Sequence, residues 1–316
     1  MTVADIAAAA SELKTVRDLV RFGLSRFTKA DIAFGHGTTS PLDEAAFMVL
    51  EALSLPIDEL APWLDARLTL AERERIVGLI DQRIVTRKPA SYLLNKAYIQ
   101  GIPFYVDERV IVPRSFIGEL MMGDMFGGDG FNLIEDAEAV ETVLDLCTGS
   151  GCLAILAAHI FPNAMIDAVD LSADALAVAR INVDASEFAH RINLHQGDLF
   201  APLAGTRYDL IITNPPYVAA DEVAELPAEY LHEPVMALGS GVDGLDITRR
   251  ILAAAPDHLT ANGGLICEIG TGQDILVADY PEFDFLWLDT EESVGEVFWL
   301  KADAFGGPRK RPSRKR

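Results

Sequence analysis

From residue 143 onward, short apolar runs alternate with helix-like stretches, and this alternation restricts the possible folds more than any other feature of the chain. The runs begin at Val143, Ala164, Ile192, Tyr208 and Gly263. Alternating strands and helices are typical of a mostly parallel sheet that is covered by helices. Two more apolar runs, residues 283–288 and 297–301, predict an antiparallel hairpin at the edge. The sequence therefore predicts an α/β fold around a mostly parallel, Rossmann-like sheet of seven strands.

The first 90 residues lack this alternation and predict a helical domain. In residues 15–27, apolar side chains recur at helical spacing between charged ones. Ser40 followed by Pro41 is typical of a helix start, and Thr69 with Glu72 three residues later forms a capping box. We expect this domain to recognise a substrate, and a purely structural cap is the alternative.

The remaining domain boundaries follow from composition and turn residues. We predict a β-hairpin linker at 91–120, a mobile loop rich in Gly and acids at 121–141, an α/β catalytic domain at 142–303, and a basic disordered tail at 304–316. Six Lys and Arg side chains and no acid occur between Gly306 and Arg316. Such a tail cannot form a core, and it is either an arm that contacts RNA or a ribosomal particle, or a solubilising or incidental end.

Charge and composition exclude several classes of function. The formal net charge is −22, and without the six basic residues of the tail 20 basic side chains stand against 48 acidic ones, a charge of −28. This argues against broad binding to phosphate backbones, and no DNA partner is expected. Three cysteines form no CxxC pair and the histidines show no metal-ligand spacing, so no metal is expected. No signal peptide or membrane span is evident, which predicts a cytoplasmic protein.

A glycine turn and three strand-end acids predict the ligand of the catalytic domain. The turn Cys147–Gly151 follows the first strand, but the third glycine of a dinucleotide motif is missing. Asp145, in front of the turn, suits a cationic group, and Asp170 is placed to accept from both hydroxyls of a ribose. Asp198 could accept from an adenine amino group, with Leu199 against the ring. A nucleoside with a cationic amino-acid tail and no phosphates is S-adenosylmethionine.

The stretch Asn214-Pro215-Pro216-Tyr217 predicts the second half of the site. It ends a buried strand at the sheet edge where such folds bind ligands, and two prolines make it rigid. The Asn214 oxygen and the Pro215 carbonyl could accept both N–H bonds of an amide or an exocyclic amine, while Tyr217 adds an aromatic face. The nitrogen would then face the methyl group of the cofactor, in line for displacement.

These residues carry a resemblance to a known family. The chain resembles the class I methyltransferases that modify planar NH₂ groups and, over about residues 87–300, the protein glutamine N5-methyltransferases. The motifs that carry this resemblance are Asp145-x-x-x-Gly149-x-Gly151, Asn214-Pro215-Pro216-Tyr217, Pro113-Arg114-Ser115, His232-Glu233-Pro234 and Ser240-Gly241-Val242-Asp243-Gly244-Leu245.

Within that family, the chain resembles the branch that acts on large-subunit ribosomal protein number three. The stretches that carry this resemblance are residues 145–152 and 104–110. The sibling branch, which acts on peptide chain release factors, typically has Gly at the position of Cys147. It also has Pro-Glu-Thr-Glu after the Arg, where this chain has Ser115-Phe116-Ile117-Gly118.

The resemblance implies S-adenosylmethionine as cofactor and a glutamine of a ribosomal protein as substrate, and together with the residues argued above it gives a set of expected site residues. The catalytic residues expected are Asn214, Pro215 and Tyr217. The substrate-binding residues expected are Asn214, Pro215, Pro216, Tyr217, Arg114 and Glu233. The cofactor-binding residues expected are Asp145, Cys147, Thr148, Gly149, Ser150, Gly151, Asp170, Leu171, Asp198, Leu199 and Asn214.

Three alternatives stay open at this point. The same loop would serve a release-factor glutamine methyltransferase equally well. A DNA adenine methyltransferase shares the Asn-Pro-Pro-Tyr chemistry, although it should flip a base out of a basic groove and this chain is acidic. A non-catalytic ribosome-assembly factor that binds S-adenosylmethionine would show cofactor binding without turnover.

Overall fold

The computed structural model describes residues 1–123, 125–127 and 131–306. The chain divides into two compact units. The first unit consists of Met1–Arg114 and Leu226–Pro234, and the second of Ser115–Glu225 and the chain from Val235 onward. The first unit thus takes in a short segment that follows the Asn-Pro-Pro-Tyr stretch in sequence, a feature that no sequence pattern indicated.

The first unit is helical, with one small hairpin. Its elements are α1 (Val3–Glu12), α2 (Val16–Ala30), α3 (Pro41–Ala52), α4 (Leu70–Thr86), α5 (Ala90–Leu94), β1 (Ala97–Ile99) and β2 (Ile102–Phe104). The predicted helix starts are confirmed: the Ser40 hydroxyl accepts from the third residue of α3, and Thr69 and Glu72 form a reciprocal capping box on α4. Apolar faces of α2, α3 and α4 form the core, in which Phe27, Met48 and Ile80 are fully buried.

The second unit contains the predicted sheet. Its elements are α6 (Phe116–Met122), β3 (Thr142–Leu146), α7 (Cys152–Ile160), β4 (Met165–Asp170), α8 (Ala173–Ala185), β5 (Ile192–Gln196), β6 (Tyr208–Thr213), α9 (Ala220–Glu225), α10 (Asp246–His258), β7 (Leu259–Glu268), α11 (Gln273–Asp279), β8 (Leu286–Leu288) and β9 (Val297–Lys301). The strand order is β5-β4-β3-β6-β7-β9-β8, parallel from β3 to β7 and antiparallel at β9 and β8. This confirms the predicted class I methyltransferase fold with its seven-stranded sheet.

The direction in which strands are added reverses between β3 and β6. From β3 the chain adds β4 and β5 on one side, and then returns to place β6 on the other side. In open α/β sheets, ligands bind at the carboxyl ends of the strands at such a switch point. Both strands are buried along most of their length, so their ends are held by the core.

Part of the segment predicted as a mobile loop packs within the second unit. Phe126 is buried and meets the Phe161 ring edge-on, with 5.8 Å between ring centroids, and Leu133 is buried as well. Gly128 and Gly130 of that segment lie outside the described residues, as do residues 307–316 of the basic tail. Among the described helices, none is long and apolar enough to cross a membrane.

Candidate active site

Three strand ends meet at the switch point in aligned register. Leu146 of β3 pairs with Thr213 of β6, and Thr213 pairs with Cys267 of β7. The next residues, Cys147, Asn214 and Glu268, therefore lie at the same edge of the sheet, where β3 and β6 have ended and Glu268 is the last residue of β7. The glycine turn and the Asn-Pro-Pro-Tyr stretch thus begin at the ends of neighbouring strands.

The glycine turn has an unusual backbone conformation. Cys147, Gly149 and Gly151 all have positive φ, at 59°, 55° and 81°. Glycine adopts this region without steric cost, whereas a residue with a Cβ does not. Because every second residue of the turn has left-handed backbone dihedral angles, the chain folds tightly above β3 and leads into the first turn of α7. The Thr148 N–H donates to the Val169 carbonyl over 3.0 Å, and the Ser150 carbonyl accepts from the Asn182 side chain over 2.8 Å.

Asp145 lies beneath the turn and is completely buried. One carboxylate oxygen accepts from the Thr148 hydroxyl over 2.5 Å and from the Ala154 N–H over 3.1 Å. The other, Oδ1, is buried and has no hydrogen-bond partner among the described residues. Burial raises the pKa of Asp145 to about 7. Asp145 therefore supports the turn with one oxygen and keeps an acceptor available with the other, as a cationic ligand group would require.

Asp170, at the end of β4, connects the turn to the next strand. Its Oδ2 accepts from the Gly149 N–H over 2.9 Å, and its Oδ1 accepts from the Ser172 N–H over 2.8 Å. Desolvation raises the pKa of this half-buried carboxyl. Each carboxylate oxygen can accept a second hydrogen bond, so the pair of hydroxyls on a ribose remains a possible ligand.

The other predicted cofactor residues differ in their exposure. Leu171 is 56% exposed, directly after Asp170. Leu199 is buried, with a positive φ of 51°, and belongs to the core of the second unit. The carboxylate of Asp198 pairs with Arg250 over 2.7 Å, and both side chains are about half exposed. An adenine amino group at Asp198 would therefore share this carboxylate with Arg250.

Asn214 and Pro215 present polar groups that the described chain does not use. The half-buried Asn214 side chain makes no hydrogen bond within the described residues, and neither does the Pro215 carbonyl. Pro215 itself is buried and Pro216 is half-buried, so the backbone that carries these acceptors is fixed. An amide oxygen and a carbonyl oxygen on one rigid loop can accept both hydrogens of a single NH₂ group.

Tyr217 is anchored by a residue that sequence reasoning missed. The Tyr217 hydroxyl donates to Glu268 Oε1 over 3.0 Å. The other oxygen, Oε2, accepts from the Ser115 hydroxyl over 2.7 Å and from the Phe116 N–H over 2.9 Å, at the start of α6. Glu268 is completely buried, and burial raises its pKa to about 7. The position of this acid at the end of β7, as with Asp145 and Asp170, was the signal that could have found it.

Two glycines leave the space that Tyr217 occupies. A Cβ on Gly244 would lie 2.1 Å from the Tyr217 carbonyl oxygen, and a Cβ on Gly270 would lie 2.8 Å from the Tyr217 ring. Both glycines also have positive φ, at 79° and 57°. The Ser240–Leu245 motif therefore supports the backbone of the Asn-Pro-Pro-Tyr stretch, and the Ser240 N–H also donates to the carbonyl of Val218, the residue after Tyr217, over 3.0 Å.

Arg114 and Glu233, both predicted to bind substrate, are paired with each other inside the first unit. The guanidinium makes two bonds to the carboxylate, of 2.6 and 2.7 Å, and Glu233 Oε1 also accepts from the Val112 N–H over 2.9 Å. The Glu233 side chain has no exposed surface, while Arg114 is 24% exposed. Glu233 thus fixes the guanidinium, and of the two only Arg114 has surface that a substrate could reach.

The arrangement fits S-adenosylmethionine on two observations. Asp145 Oδ1 is an unsatisfied acceptor beneath the turn, and Asp170 stands beside it with capacity for two more hydrogen bonds. S-adenosylmethionine carries both an ammonium group, on its amino-acid tail, and the diol of its ribose.

Comparison with known proteins gives one family model and a set of close relatives. A model described as the methyltransferase small domain matches residues 132–241. A ribosomal protein uL3 glutamine methyltransferase of Bradyrhizobium diazoefficiens is 59% identical over 293 residues, which cover 92% of each chain. Proteins of the same name from Neisseria meningitidis and Burkholderia pseudomallei are each 53% identical, and the matches cover 95% and 92% of this chain and 97% and 95% of theirs.

Solved structures resemble the chain more distantly. The catalytic domain of hMettl16, in complex with an RNA hairpin, is 13% identical over 73% of this chain and 80% of its own, with a TM-score of 0.47. A methyltransferase from Pyrococcus furiosus is 12% identical over 72% of this chain and 98% of its own, with a TM-score of 0.45.

Proposed function

The chain belongs to the ribosomal protein uL3 glutamine methyltransferases, and we propose that Asn214 and Pro215 hold the substrate amide beside the cofactor turn. Its reaction transfers a methyl group from S-adenosylmethionine to a glutamine side chain of uL3. The relatives confirm the predicted branch of the family. The roles of individual residues are our proposal, and they rest on geometry.

The observation that carries the proposal is the pairing of Leu146 with Thr213. It starts the cofactor turn at Cys147 and the substrate loop at Asn214 on adjacent strands. Neighbouring strands lie about 4.7–4.9 Å apart. A ligand held by the turn and an amide held by the loop are therefore close enough for direct group transfer.

S-adenosylmethionine, when bound, supplies a methyl group that is already activated by a sulfonium. The task of the protein is to orient a poor nucleophile. The Asn214 oxygen and the Pro215 carbonyl accept hydrogen bonds from the two N–H groups of the glutamine amide. These two bonds fix the orientation of the amide group and of its nitrogen. These bonds strengthen as the nitrogen becomes positive, which favours the transition state over the ground state. The nitrogen releases one proton to water after the transfer, since neither the Asn214 amide oxygen nor the Pro215 carbonyl is a base.

Tyr217 forms one wall of this site. Its hydroxyl is held by Glu268 and its backbone by close contact with Gly244, so the position of the ring is set from both ends. A fixed aromatic ring can stack on a planar amide and exclude water from it. No charged group is needed at the reacting nitrogen, because the methyl donor carries the charge.

The experiment that tests this function offers several acceptors in parallel. The enzyme is incubated with labelled S-adenosylmethionine and either uL3 from the same organism, a peptide chain release factor or DNA. The position of any added methyl group is then mapped by mass spectrometry. Label on a uL3 glutamine is expected, and label confined to release factor or adenine would refute the assignment. Tight cofactor binding without any transfer would favour a non-catalytic assembly factor.

We further propose that the enzyme acts in the cytoplasm and that its basic tail contacts ribosomal RNA. Six cationic side chains without an acid suit contact with a phosphate backbone. Removal of residues 307–316 should then weaken binding to ribosomal particles while leaving methylation of free uL3 unchanged.

A further inference from the structure

The first unit contains a cavity that the catalytic site does not use. Its volume is about 350 Å³, at the lower end of the range of roughly 300–1,000 Å³ that is typical of ligand sites. The polar side chains in its wall are His36, Thr38, Asp43, Asp58, Ser91 and Tyr98. Apolar groups from α3 and from residues 57–60 complete it.

His36 is the only basic side chain among the residues that line this cavity. It is 2% exposed, and both of its ring nitrogens are buried without a hydrogen-bond partner among the described residues. The nearest carboxylate oxygen, Oε2 of Glu233, lies 3.7 Å from Nε2, which is too far for a hydrogen bond. Burial lowers the pKa of His36 to about 4, although Glu233 opposes this. The ring is therefore neutral near pH 7 and adds no positive charge to the wall that would repel a cation.

The rest of the wall favours a positively charged ligand. Asp43 and Asp58 are exposed, and neither forms an ion pair with a described cation. Phe47 and Tyr98 meet edge-on, with 6.3 Å between ring centroids. Exposed carboxylates together with half-buried aromatic rings are the surroundings that a Lys or Arg side chain prefers.

We propose that this cavity receives a cationic side chain of the substrate protein and so docks uL3 on the helical unit. This rests on the proposed function for the identity of the partner. A ribosomal protein binds phosphate backbones through Lys and Arg, so it presents such side chains on its surface. A contact of this kind would supply the recognition that Asn214–Tyr217 cannot, because those residues reach only the glutamine itself.

The test measures the affinity of full-length enzyme for labelled uL3 by fluorescence anisotropy, without cofactor. Asp58→Lys reverses a charge at the cavity, and Ala46→Leu fills part of it. Each variant is expected to raise the Kd by roughly fivefold or more. Glu74→Lys is the matched control, since Glu74 is exposed on α4 of the same unit and does not line the cavity, and its Kd should stay within about twofold.

The outcomes separate this proposal from the proposed function. Unchanged affinity in both cavity variants would overturn it, and weakening by Ala46→Leu alone would overturn the cationic assignment. An equal loss of uL3 affinity in Glu74→Lys would also overturn the proposal, because the loss would then follow from the net charge of the unit and not from the cavity. Binding is measured without turnover, so failure of the wild-type enzyme to methylate uL3 would count against the proposed function only. Unchanged S-adenosylmethionine affinity and melting temperature show that the variants are folded.

Discussion

Tyr217 and Glu268 are 51 residues apart in sequence and are joined by a hydrogen bond of 3.0 Å at the edge of the sheet. The bond links the last residue of the substrate loop to the last residue of β7. Because Glu268 also accepts from Ser115 and Phe116, one buried carboxylate fixes both the loop and the start of α6. The position of the aromatic wall therefore depends on a residue that has no contact of its own with the substrate in our proposal.

The first prediction follows directly from this bond. Tyr217→Phe keeps the ring but leaves Glu268 Oε1 buried without its donor, which costs about 1–3 kcal/mol in the stability of the local structure. We expect kcat for uL3 methylation to fall about tenfold, while the Kd of S-adenosylmethionine changes less than about twofold.

Tyr208→Phe is the matched control for removal of a hydroxyl. The Tyr208 hydroxyl donates to Asp167 over 2.7 Å in the same sheet but away from the substrate loop. This variant should lose stability and keep its kcat. Equal loss of kcat in both variants would mean that Tyr217 acts only through general stability.

The second prediction concerns the titration of Glu268. Burial raises its pKa from 4.5 to about 7, so the folded protein binds this proton more tightly than the unfolded chain does. The stabilisation that results is complete below about pH 4.5 and is lost as the pH rises through about 7. Over that interval it amounts to something on the order of 3 kcal/mol.

Glu268→Gln isolates this effect, because the amide cannot titrate. Denaturant unfolding is measured at several pH values between 4.5 and about 7, the ordinary and the raised pKa of Glu268. As the pH increases, the wild type should lose stability relative to the variant. Asp145, whose pKa is also raised to about 7, contributes in the same direction in both proteins and cancels from the difference. Parallel stability curves would contradict the prediction.

The third prediction tests the amide clamp. Asn214→Ala removes one of the two proposed acceptors, and loss of such a group typically lowers kcat by a factor of about 10²–10³. Calorimetry should find cofactor binding nearly unchanged. Asn163→Ala, which removes an exposed amide that donates to Glu138, is the control and should be fully active. Joint loss of transfer and of cofactor binding would show that Asn214 mainly holds the cofactor.

The sequence predicted those parts of the molecule that depend on local patterns. The strand at Val143, the capping box at Thr69 and the rigid loop at Asn214 each depend on neighbouring residues, and each lies where the pattern placed it. The contacts of Glu268 could not be predicted in this way. Ser115 lies 153 residues away in sequence, and the contact with Tyr217 exists only because β6 and β7 are neighbours in the sheet. The roles of long-range partners become visible only after the sheet is assembled.

The fourth prediction concerns the backbone of the cofactor turn. Cys147 has a φ of 59°, in the left-handed region that favours glycine. Cys147→Gly relieves this strain and should bind S-adenosylmethionine as the wild type does. Cys147→Val places a β-branched residue in the same conformation, at a cost of about 1–2 kcal/mol, and should weaken cofactor binding about tenfold. Calorimetric titration of both variants provides the comparison, and equal affinities would mean that the turn tolerates a change of conformation at this residue.

The fifth prediction concerns the pair of Arg114 and Glu233. Glu233 is buried in the first unit, and the guanidinium holds it with two short hydrogen bonds. Arg114→Met would leave this carboxylate buried without its cation, which costs about 3–5 kcal/mol. Replacement of both residues by Met removes the uncompensated charge and should recover most of that loss.

The double-mutant cycle separates the structural role of this pair from a role in substrate binding. Thermal unfolding should show that the double variant is nearly as stable as the wild type, whereas Arg114→Met is clearly less stable. If Arg114 also touches substrate, the double variant will regain stability and yet keep a raised KM for uL3. A double variant that recovers both stability and KM would show that the pair only braces the first unit.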